Sequence, residues 1–419
     1  MTIPSSPTSR TAVPPAVYVL AAGVFAMVTS EFTVAGLMPQ LAAGLDTGIE
    51  QIGYLVTIFA AAMAIGGPLL ILALRRTPPR SALMVIFAIF LAGNLIAALS
   101  TDYLMMVVAR IVSGAASQAY FGIAVSMAVL LVDERMRGRA VAVVMNGLML
   151  GTLLGLPLAT FVGGRFGWQS AFWAISVITL AAALLTLNTV RNPATNDHAS
   201  GTAAAAGSEL SVLRRPQFLL ALTSSTLIIG ATFSAFSFFT PILIEITGFS
   251  DGAVPALLLV YGAATLVGNI VVGRLADRHT ISTLLIGTGL NALFLTGFAL
   301  FTDVPGLALA FMLGIGLVGV TMNPAMAVRI QRTGNTAPLV NTIHGSFITL
   351  GVMIGSAAGS ALIPHFGLRA PIVLGIALAI LATTVTLPAL RSRYLRSGTR
   401  NDAPSPAHRP RALCNTTTD

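Results

Sequence analysis

Two charged side chains lie inside long apolar runs of the sequence, where solubility cannot explain them. Glu31 belongs to a run that starts near residue 16, and about eight further residues separate it from Pro39. At about 1.5 Å per helical residue, the carboxylate lies roughly 12 Å from the end of that run. Arg110 lies about six residues into another run, roughly 9 Å deep by the same rise. We expect the two side chains at similar depths, in contact directly or through a water molecule.

Glu31 is the first candidate for chemistry, because a carboxylate inside an apolar run is costly and is a functional hypothesis by default. Its neighbours at helical spacing are all apolar: Met27, Val28, Val34 and Ala35. A carboxyl group that takes up and releases a proton in such a setting suits a carrier of protons. The alternative is a side chain that reaches back to the polar interface.

Arg110 is the second candidate. Its positive charge would stabilise a nearby carboxylate, which predicts a proton-coupling pair of Glu31 and Arg110. The alternative is a structural arginine whose guanidinium binds backbone carbonyl groups. The two roles are compatible.

The composition places both side chains in a membrane. Of 419 residues, 55% are hydrophobic and only 9% are charged, whereas soluble domains carry about 25% charged residues. Apolar stretches of spanning length recur twelve times, and the first is expected to be retained because it exceeds a signal peptide in length. The predicted fold class is therefore an all-α membrane protein of twelve transmembrane helices. Their predicted bounds are 16–38, 51–74, 81–99, 104–132, 138–162, 169–190, 216–244, 253–275, 280–301, 306–329, 338–363 and 370–390.

One connection differs from the short ones between the other spans. Residues 191–215 are polar and rich in Thr, Ala, Gly and Ser, which is typical of a flexible linker. The predicted organisation is a cytoplasmic tail over 1–15, a six-helix half over 16–190, a cytoplasmic linker over 191–215, a second six-helix half over 216–390 and a cytoplasmic tail over 391–419.

The arginines orient the chain. All 23 basic residues are arginine, and a cytoplasmic N-terminus puts 20 of them on the cytoplasmic side, the positive-inside pattern. This bias explains the net charge of +9 without a nucleic-acid partner. We expect a bacterial inner membrane with both termini in the cytoplasm. The 20 are Arg10, Arg75, Arg76, Arg80, Arg135, Arg137, Arg139, Arg191, Arg214, Arg215, Arg274, Arg278, Arg329, Arg332, Arg391, Arg393, Arg396, Arg400, Arg409 and Arg411.

The sequence carries no enzyme or metalloprotein motif. Its single cysteine, Cys414, allows neither an intrachain disulfide nor a cysteine-based metal site. It contains no nucleotide-binding loop and no nucleophile–base motif. We expect no catalytic residue, no metal and no cofactor. The expected partners are protons, the lipid bilayer and a small-molecule substrate, bound by a monomer.

The two halves are related in sequence. Several residues recur 200 or 202 positions later, in the same order. Two related six-helix halves place a substrate cavity between them near the midplane, with alternating access by rocking. The recurring pairs are Pro39 with Pro241, Gly66 with Gly268, Arg76 with Arg278, Gly151 with Gly351 and Gly155 with Gly355.

Three sequence motifs resemble those of the major facilitator superfamily. Residues 273–278 read Gly-Arg-Leu-Ala-Asp-Arg, similar to its G-x-L-A-D-R loop motif, and residues 110–114 resemble its R-x-x-x-G motif. The glycines of the fifth span resemble its antiporter motif, and residues 29–39 are similar to the first helix of chloramphenicol exporters and arabinose-efflux permeases in its drug:proton antiporter branch. The antiporter-like residues are Gly147, Gly151, Gly155, Pro157, Gly163 and Gly164.

The resemblance implies roles for these residues. Gly273, Asp277 and Arg278 would latch the cytoplasmic gate at the turn between the eighth and ninth spans. The ladder of Gly147, Gly151 and Gly155 forms one smooth helix face. Close helix packing is the plain interpretation of that face. The functional interpretation is that the two halves slide along this face while Pro157 perturbs the helix.

Polar and aromatic residues within the spans are candidates for the substrate cavity, because such cavities are mostly apolar with a few polar groups. Packing, or a hydrogen bond between helices, is the alternative for each. The candidates are Met27, Gln118, Tyr120, Asn146, Phe233, Phe236, Phe239 and His344, and the same alternative applies to Tyr261, Asn269, Asn291, Asn323 and Asn341.

These observations favour a secondary active transporter that exports a small organic compound in exchange for protons. The resemblance implies a drug-like substrate of the chloramphenicol type. Efflux of a sugar or another metabolite is the alternative within transport. A non-transporting membrane receptor or an intramembrane enzyme is the alternative of another class, but the sequence displays neither an extra soluble domain nor a cluster of catalytic groups.

Overall fold

The computed structural model describes residues 13–190, 215–334 and 338–388; the side chains at 277, 338 and 339 lie outside that description. Every predicted span is a helix, and the predicted bounds are met to within about four residues. The helices are α1 Pro15–Gly36, α2 Ile49–Ala73, α3 Pro79–Ala98, α4 Tyr103–Leu130, α5 Glu134–Phe166, α6 Trp168–Thr189, α7 Pro216–Ile246, α8 Val254–Ala276, α9 Arg278–Leu300, α10 Pro305–Thr333, α11 Pro338–Phe366 and α12 Ala370–Thr386.

These helices have the lengths that a bilayer requires. Within the described residues, eleven are long and apolar enough to cross a membrane. The twelfth, α12, has 17 residues, or about 26 Å of helix, at the short end of the spanning range. Residues 191–214 of the predicted linker, 1–12 and 391–419 of the predicted tails, and the predicted end of α12 at 389–390 lie outside the described residues.

Two of the helices are interrupted near their middles, and α7 is interrupted after Phe236, before a short helix Phe239–Pro241 and a π-helical end Ile242–Ile246. In α5 a π-helical turn, Gly151–Gly155, separates Arg137–Leu150 from Leu156–Phe166. Pro157 follows this turn; it has no N–H, and its ring crowds the carbonyl four residues earlier, which accounts for the widening. In α10 the helix stops at Val318, makes a 3₁₀ turn over Val320–Met322 and resumes at Asn323.

The predicted turn between the eighth and ninth spans is a kink between two helices. Residues 273–278 are helical, and α8 and α9 follow one another between Val254 and Leu300 without a longer connection. The chain bends at His279, whose φ of −128° and ψ of 42° are not helical. The Gly273–Arg278 motif therefore lies in the last turn before a kink.

Helix packing repeats in the two halves, as the sequence repeat predicts. A Cβ at Gly66 of α2 would lie 2.6 Å from the Cβ of Ala115 in α4, and a Cβ at Gly268 of α8 would lie 2.1 Å from the Leu317 carbonyl oxygen in α10. Both partners of the second pair lie 202 residues after those of the first. Likewise α1 packs on α5 and α6, and α7 packs on α11 and α12. The chain folds as two pseudo-symmetric six-helix halves.

The molecule has two faces of different charge. Helices run antiparallel, so the connections between them alternate between an acidic face and an arginine-rich face. Arg369 binds Asp303 at 2.5 Å and joins two connections on the acidic face. We define the acidic face by Asp46, Glu50, Asp102, Asp251 and Asp303, and the arginine-rich face by Arg75, Arg76, Arg80, Arg135, Arg137 and Arg139.

The halves touch each other towards the acidic face. Thr57 of α2 and Ser356 of α11 form a hydrogen bond of 2.8 Å between their hydroxyl oxygens. A Cβ at Gly262 of α8 would lie 2.8 Å from the Leu153 carbonyl oxygen of α5. α8 packs on the second part of α5, Leu156–Phe166, which ends at the acidic face. The structure is thus closed on the acidic side.

Candidate functional site

Glu31 lies at the seam between the two halves. It lines a cavity of about 10 Å³, room for about one water molecule. We call this the seam cavity. Its walls come from both halves, so the surroundings of Glu31 depend on the second half as well as the first. The lining residues are Glu31, Phe32, Ala35, Val56, Phe59 and Ala60 from the first half, and Phe233, Phe236, Ser237 and Val352 from the second.

Arg110 binds the helix of Glu31 through its backbone. The guanidinium donates to the Ser30 carbonyl oxygen at 2.8 Å and to the Glu31 carbonyl oxygen at 3.1 Å. Its Cζ lies 3.8 Å from the ring centroid of Phe59, a cation–π contact. The similar depth of the two charged residues is confirmed. In the described part of the chain, however, no Glu31–Arg110 ion pair forms within 4.0 Å, and these contacts are those of the structural alternative.

A second polar contact anchors the same turn of α1. The Ser30 hydroxyl donates to Asn94 Oδ1 at 2.9 Å, and Asn94 Nδ2 donates to the Phe90 carbonyl oxygen at 2.9 Å. Ser30 and Asn94 are both buried. Sequence reasoning missed Asn94, although a lone asparagine inside an apolar span was a usable signal, because buried polar side chains need partners.

Aromatic rings close the seam beside Glu31. Phe32 packs against Phe233 and Phe236, with ring centroids 6.3 and 5.5 Å apart, and these contacts join α1 to α7. We call this set, with Phe239, Tyr261 and Phe298, the aromatic cluster. The rings of Phe233 and Phe236 form part of the wall of the seam cavity, and Phe239 is buried behind them.

Ser237 brings a polar atom to the second-half wall of the seam cavity. Its side chain is 0% exposed, and its Oγ has no hydrogen-bond partner among the described residues. A buried hydroxyl without a partner is uncommon and costly.

A larger cavity of about 390 Å³ lies between α5, α8 and α10, on the arginine-rich side of the Leu153–Gly262 contact. This volume is within the range of small-molecule sites. We call it the α5–α8–α10 pocket; Asn269 and Asn323 of the sequence candidates line it. All its lining residues are Met145, Leu148, Met149, Thr152, Leu153, Gly262, Thr265, Leu266, Asn269, Val320, Thr321, Asn323, Pro324 and Ala327.

Several predicted cavity residues pack inside one half. Tyr120 is 0% exposed and donates to the Leu20 carbonyl oxygen at 3.2 Å. His344 is buried, with Nε2 3.2 Å from the Ser225 hydroxyl, and Met27 is buried as well. Tyr120 and His344 thus fill space between neighbouring helices of one half, and a substrate contact of Tyr120, His344 or Met27 stays a prediction.

The remaining polar candidates take varied positions. Gln118 packs its Cβ and Cγ against Gly67 of α2, and Asn146 is exposed on α5. Asn291 donates to the Thr232 hydroxyl at 3.2 Å, a helix–helix hydrogen bond. Asn341 accepts from Gln331 at 3.5 Å. A substrate contact of Gln118 or Asn146 stays a prediction.

Arg329, one of the arginines predicted on the cytoplasmic side, points into the second half. Its side chain is 4% exposed; it donates to the Ser224 hydroxyl at 2.7 Å and to the Thr386 hydroxyl at 3.4 Å. The guanidinium thus ties α10 to α7 and α12. Its position near the end of a span predicted only the side of the membrane, and the rotation of α10 turns the side chain inwards.

The residues with predicted gating roles are placed as follows. A Cβ at Gly147, Gly151 or Gly155 would meet Ala21, Val28 or Thr29 of α1, so the ladder packs within its own half rather than between halves. Gly273 has open space around it, and Arg278 is exposed. The Asp277 side chain lies outside the described residues, so its latch role stays a prediction.

No group of three or more His, Cys, Asp or Glu side chains that could hold a metal ion occurs in the described ranges. The site offers an ionisable carboxyl group at Glu31, a hydroxyl group at Ser237 and, in the α5–α8–α10 pocket, a volume that admits a small molecule. Two repeated six-helix halves that meet around such cavities define the architecture of a secondary transporter.

Comparison with known families identifies the group to which the chain belongs. Residues 20–337 and 256–415 match the model of the Major Facilitator Superfamily. The chain belongs to this superfamily, so it is a multi-pass membrane transporter and not an enzyme.

Curated relatives cover most of the chain. It is 32% identical to a chloramphenicol resistance protein of Streptomyces lividans over 82% of this chain and 86% of that one. It is also 32% identical to the inner membrane transport protein YdhP of Escherichia coli (strain K12), over 82% and 87% of the two chains.

Solved structures share the fold. A D-xylose-proton symporter superposes with a TM-score of 0.73 at 16% identity, over 88% of this chain and 96% of that one. A bacterial homologue of the human lysosomal transporter Spinster, in an inward-facing and occupied conformation, superposes with a TM-score of 0.71 at 14% identity, over 93% and 98%.

Proposed function

We propose that this protein exports a small, drug-like organic compound in exchange for protons, across a bacterial inner membrane and with both termini in the cytoplasm. The observation that carries the proposal is the position of Glu31: an ionisable carboxyl group in a cavity lined by both halves. The proton affinity of a carboxyl group in such a place depends on whether the two halves are apart or together.

Proton binding and closure of the acidic face stabilise each other in this mechanism. A carboxylate anion enclosed by Phe32, Phe233 and Phe236 loses its water shell, which is costly. A neutral carboxyl group avoids that cost, so a proton taken up at the outer, acidic face favours closure there. Release of the proton towards the cytoplasm then favours opening of the acidic face again. Repetition of this cycle gives alternating access.

Export of a drug-like compound is supported by the chloramphenicol resistance protein, which matches this chain at 32% identity over 82% of its length. Compound in the pocket on the arginine-rich side would enter from the cytoplasm. Movement of the halves would then expose it on the acidic side. The arginine bias supports a cytoplasmic position of the arginine-rich face.

Purified protein in proteoliposomes tests the proposal, with chloramphenicol as the compound and an internal pH dye as the readout. Wild-type protein is expected to move protons when chloramphenicol is added, and Glu31→Gln to lose at least about 90% of that signal because an amide cannot exchange the proton. Glu134→Gln is the matched control, since Glu134 is exposed on the arginine-rich side. Full drug-dependent proton movement by Glu31→Gln would refute the role of Glu31.

A further inference from the structure

The lining of the α5–α8–α10 pocket limits the charge of its ligand. None of its fourteen lining residues is ionisable; nine are aliphatic or glycine, and the rest are three threonines and two asparagines. An ion that enters such a lining exchanges its water for apolar surface with no counter-charge. The pocket therefore favours an uncharged molecule.

The threonines of the pocket offer acceptors. Each hydroxyl proton is already donated to a carbonyl oxygen of its own helix, which leaves the oxygen lone pairs free to accept. A ligand that meets these oxygens needs donor groups, such as hydroxyl or amide N–H. The three bonds run from Thr152 to Leu148, from Thr265 to Gly262 and from Thr321 to Leu317, at 3.0, 2.6 and 2.7 Å.

The asparagines of the pocket offer both kinds of group. Asn323 Oδ1 is buried and has no hydrogen-bond partner among the described residues. A buried acceptor without a partner is destabilising, so rotation of the Asn323 amide that turns Oδ1 towards a ligand donor in the pocket is favourable, and Asn323 as a whole is only partly buried. The amide nitrogens of Asn323 and Asn269 supply donors to the same space. The polar groups of the pocket therefore complement a ligand that carries hydrogen-bond acceptors as well as donors.

Helix irregularities coincide with the pocket. The π turn of α5 contributes Thr152 and Leu153, and the break of α10 contributes Val320, Thr321 and Asn323. Interrupted helices form binding sites in membrane transporters, because backbone that leaves regular helix is tolerated where it lines a cavity. The walls also come from both halves, so rocking of the halves must change the pocket.

We propose that the α5–α8–α10 pocket is the cargo site, and that it selects uncharged, largely apolar molecules that carry both hydrogen-bond donors and acceptors. This inference rests on the proposed function for the identity of the ligand as cargo. Met145 and Met149 adapt the apolar wall to different shapes, because thioether side chains are flexible. The pocket shares no lining residue with the seam cavity, so cargo and proton are coupled through helix movement.

Equilibrium binding to the full chain in detergent tests the site. The probes are radiolabelled chloramphenicol, which is uncharged with amide and hydroxyl groups, and tetraphenylphosphonium, an apolar cation. Wild-type protein is expected to bind chloramphenicol and not the cation. Asn323→Leu is expected to raise the chloramphenicol Kd at least about tenfold, because the ligand donor loses its acceptor. Asn188→Leu, the same change at an exposed position of α6, is expected to leave the Kd unchanged.

A gain of binding separates recognition from a structural effect. Asn323→Asp places a carboxylate in the pocket and is expected to create tetraphenylphosphonium binding, which a merely damaged fold would not do. If Asn323 variants fail to fold, Thr152→Cys in a Cys414→Ser chain replaces them. Chloramphenicol is then expected to slow maleimide labelling of that cysteine at least about threefold, because bound ligand covers it.

Three results would overturn the inference: unchanged chloramphenicol binding by Asn323→Leu, unprotected labelling at position 152, or wild-type binding of the cation in place of chloramphenicol. Binding in detergent needs no proton gradient, so the two proposals fail separately. Intact pocket binding without proton-coupled transport refutes the proposed function alone. Proton-coupled transport together with chloramphenicol binding that does not depend on the pocket residues refutes this inference alone.

Discussion

Arg110 acts on Glu31 through the backbone of α1 rather than through the carboxylate. Its two donated bonds end on the carbonyl oxygens of residues 30 and 31, and its face covers Phe59 in the wall of the seam cavity. Asn94 holds the same turn through the Ser30 hydroxyl. At the scale of single residues, Arg110 and Asn94 thus position the helix that carries the carboxyl group, whereas the carboxyl group itself lines the seam cavity.

Arg110→Lys is expected to reduce transport at least about tenfold although the charge is kept. A lysine ammonium is a compact point charge that lacks the planar fork spanning two carbonyl groups and stacking on Phe59. Drug-dependent proton movement in proteoliposomes measures this loss, and unchanged chloramphenicol binding in detergent shows that the pocket survives. Wild-type transport by Arg110→Lys would mean that charge alone suffices.

Substrate affinity should depend on pH through Glu31. In an exchanger the substrate binds the deprotonated state better, and because coupling between two sites is reciprocal, a proton on Glu31 must weaken substrate binding. The chloramphenicol Kd of the wild type is expected to rise as the pH falls from about 9 to about 5, and Glu31→Gln to flatten this dependence. Isothermal binding assays across that range provide the measurement. A flat wild-type profile would remove proton coupling at this group.

At the scale of helices, glycines and breaks determine how α5 is used. Its regular part carries Gly147 close to α1, and its π turn, just before Pro157, opens the wall of the α5–α8–α10 pocket. The same helix thus packs tightly within the first half and lines a cavity shared with the second. Close approach through glycine is common between membrane helices, where small residues permit backbone contact.

Gly147→Ala is expected to destabilise the protein by about 1–3 kcal/mol, the range for overpacked sites. The added Cβ would lie 2.2 Å from the Ala21 carbonyl oxygen, an atom of the backbone that cannot turn aside. Thermal unfolding in detergent measures the change. Gly164→Ala is the matched control in the same helix, because its Cβ meets nothing within 4 Å. Equal Tm values for the two variants would contradict the packing described for the ladder.

At the scale of the whole molecule, the two halves meet on the acidic side, where α2 packs on α11 and α5 packs on α8. The aromatic cluster and the seam cavity lie in this zone of contact, whereas the α5–α8–α10 pocket lies on its arginine-rich side. Closure on one side with a cavity on the other is the arrangement that alternating access requires.

A disulfide between positions 57 and 356 is expected to lock the acidic side and stop transport. Thr57 and Ser356 already place their side-chain oxygens 2.8 Å apart, so cysteines there come within reach of a bond. In a Cys414→Ser chain, Thr57→Cys with Ser356→Cys should lose transport on oxidation and regain it with reductant. Each single cysteine variant is the control. Full transport by the cross-linked protein would refute separation of the halves at this contact.

The sequence alone determined which segments cross the membrane, their repeat, and Glu31 as the residue to explain. Hydropathy and span length are local properties, and the free energy of transfer into lipid acts on each segment separately. The structure decided which side chains meet. Arg329 turns inwards, Tyr120 and His344 fill the interior of a half, and residues 273–278 stay helical before the bend at His279.

Only the tertiary structure could reveal the seam cavity and the α5–α8–α10 pocket. Each is built from residues more than a hundred positions apart, such as Glu31 with Ser237 and Thr152 with Asn323. Their meeting depends on how each helix is rotated about its axis and where it is interrupted. Packing between helices sets that rotation. A membrane helix has apolar residues on every side, so its hydrophobic pattern contains little information about the rotation.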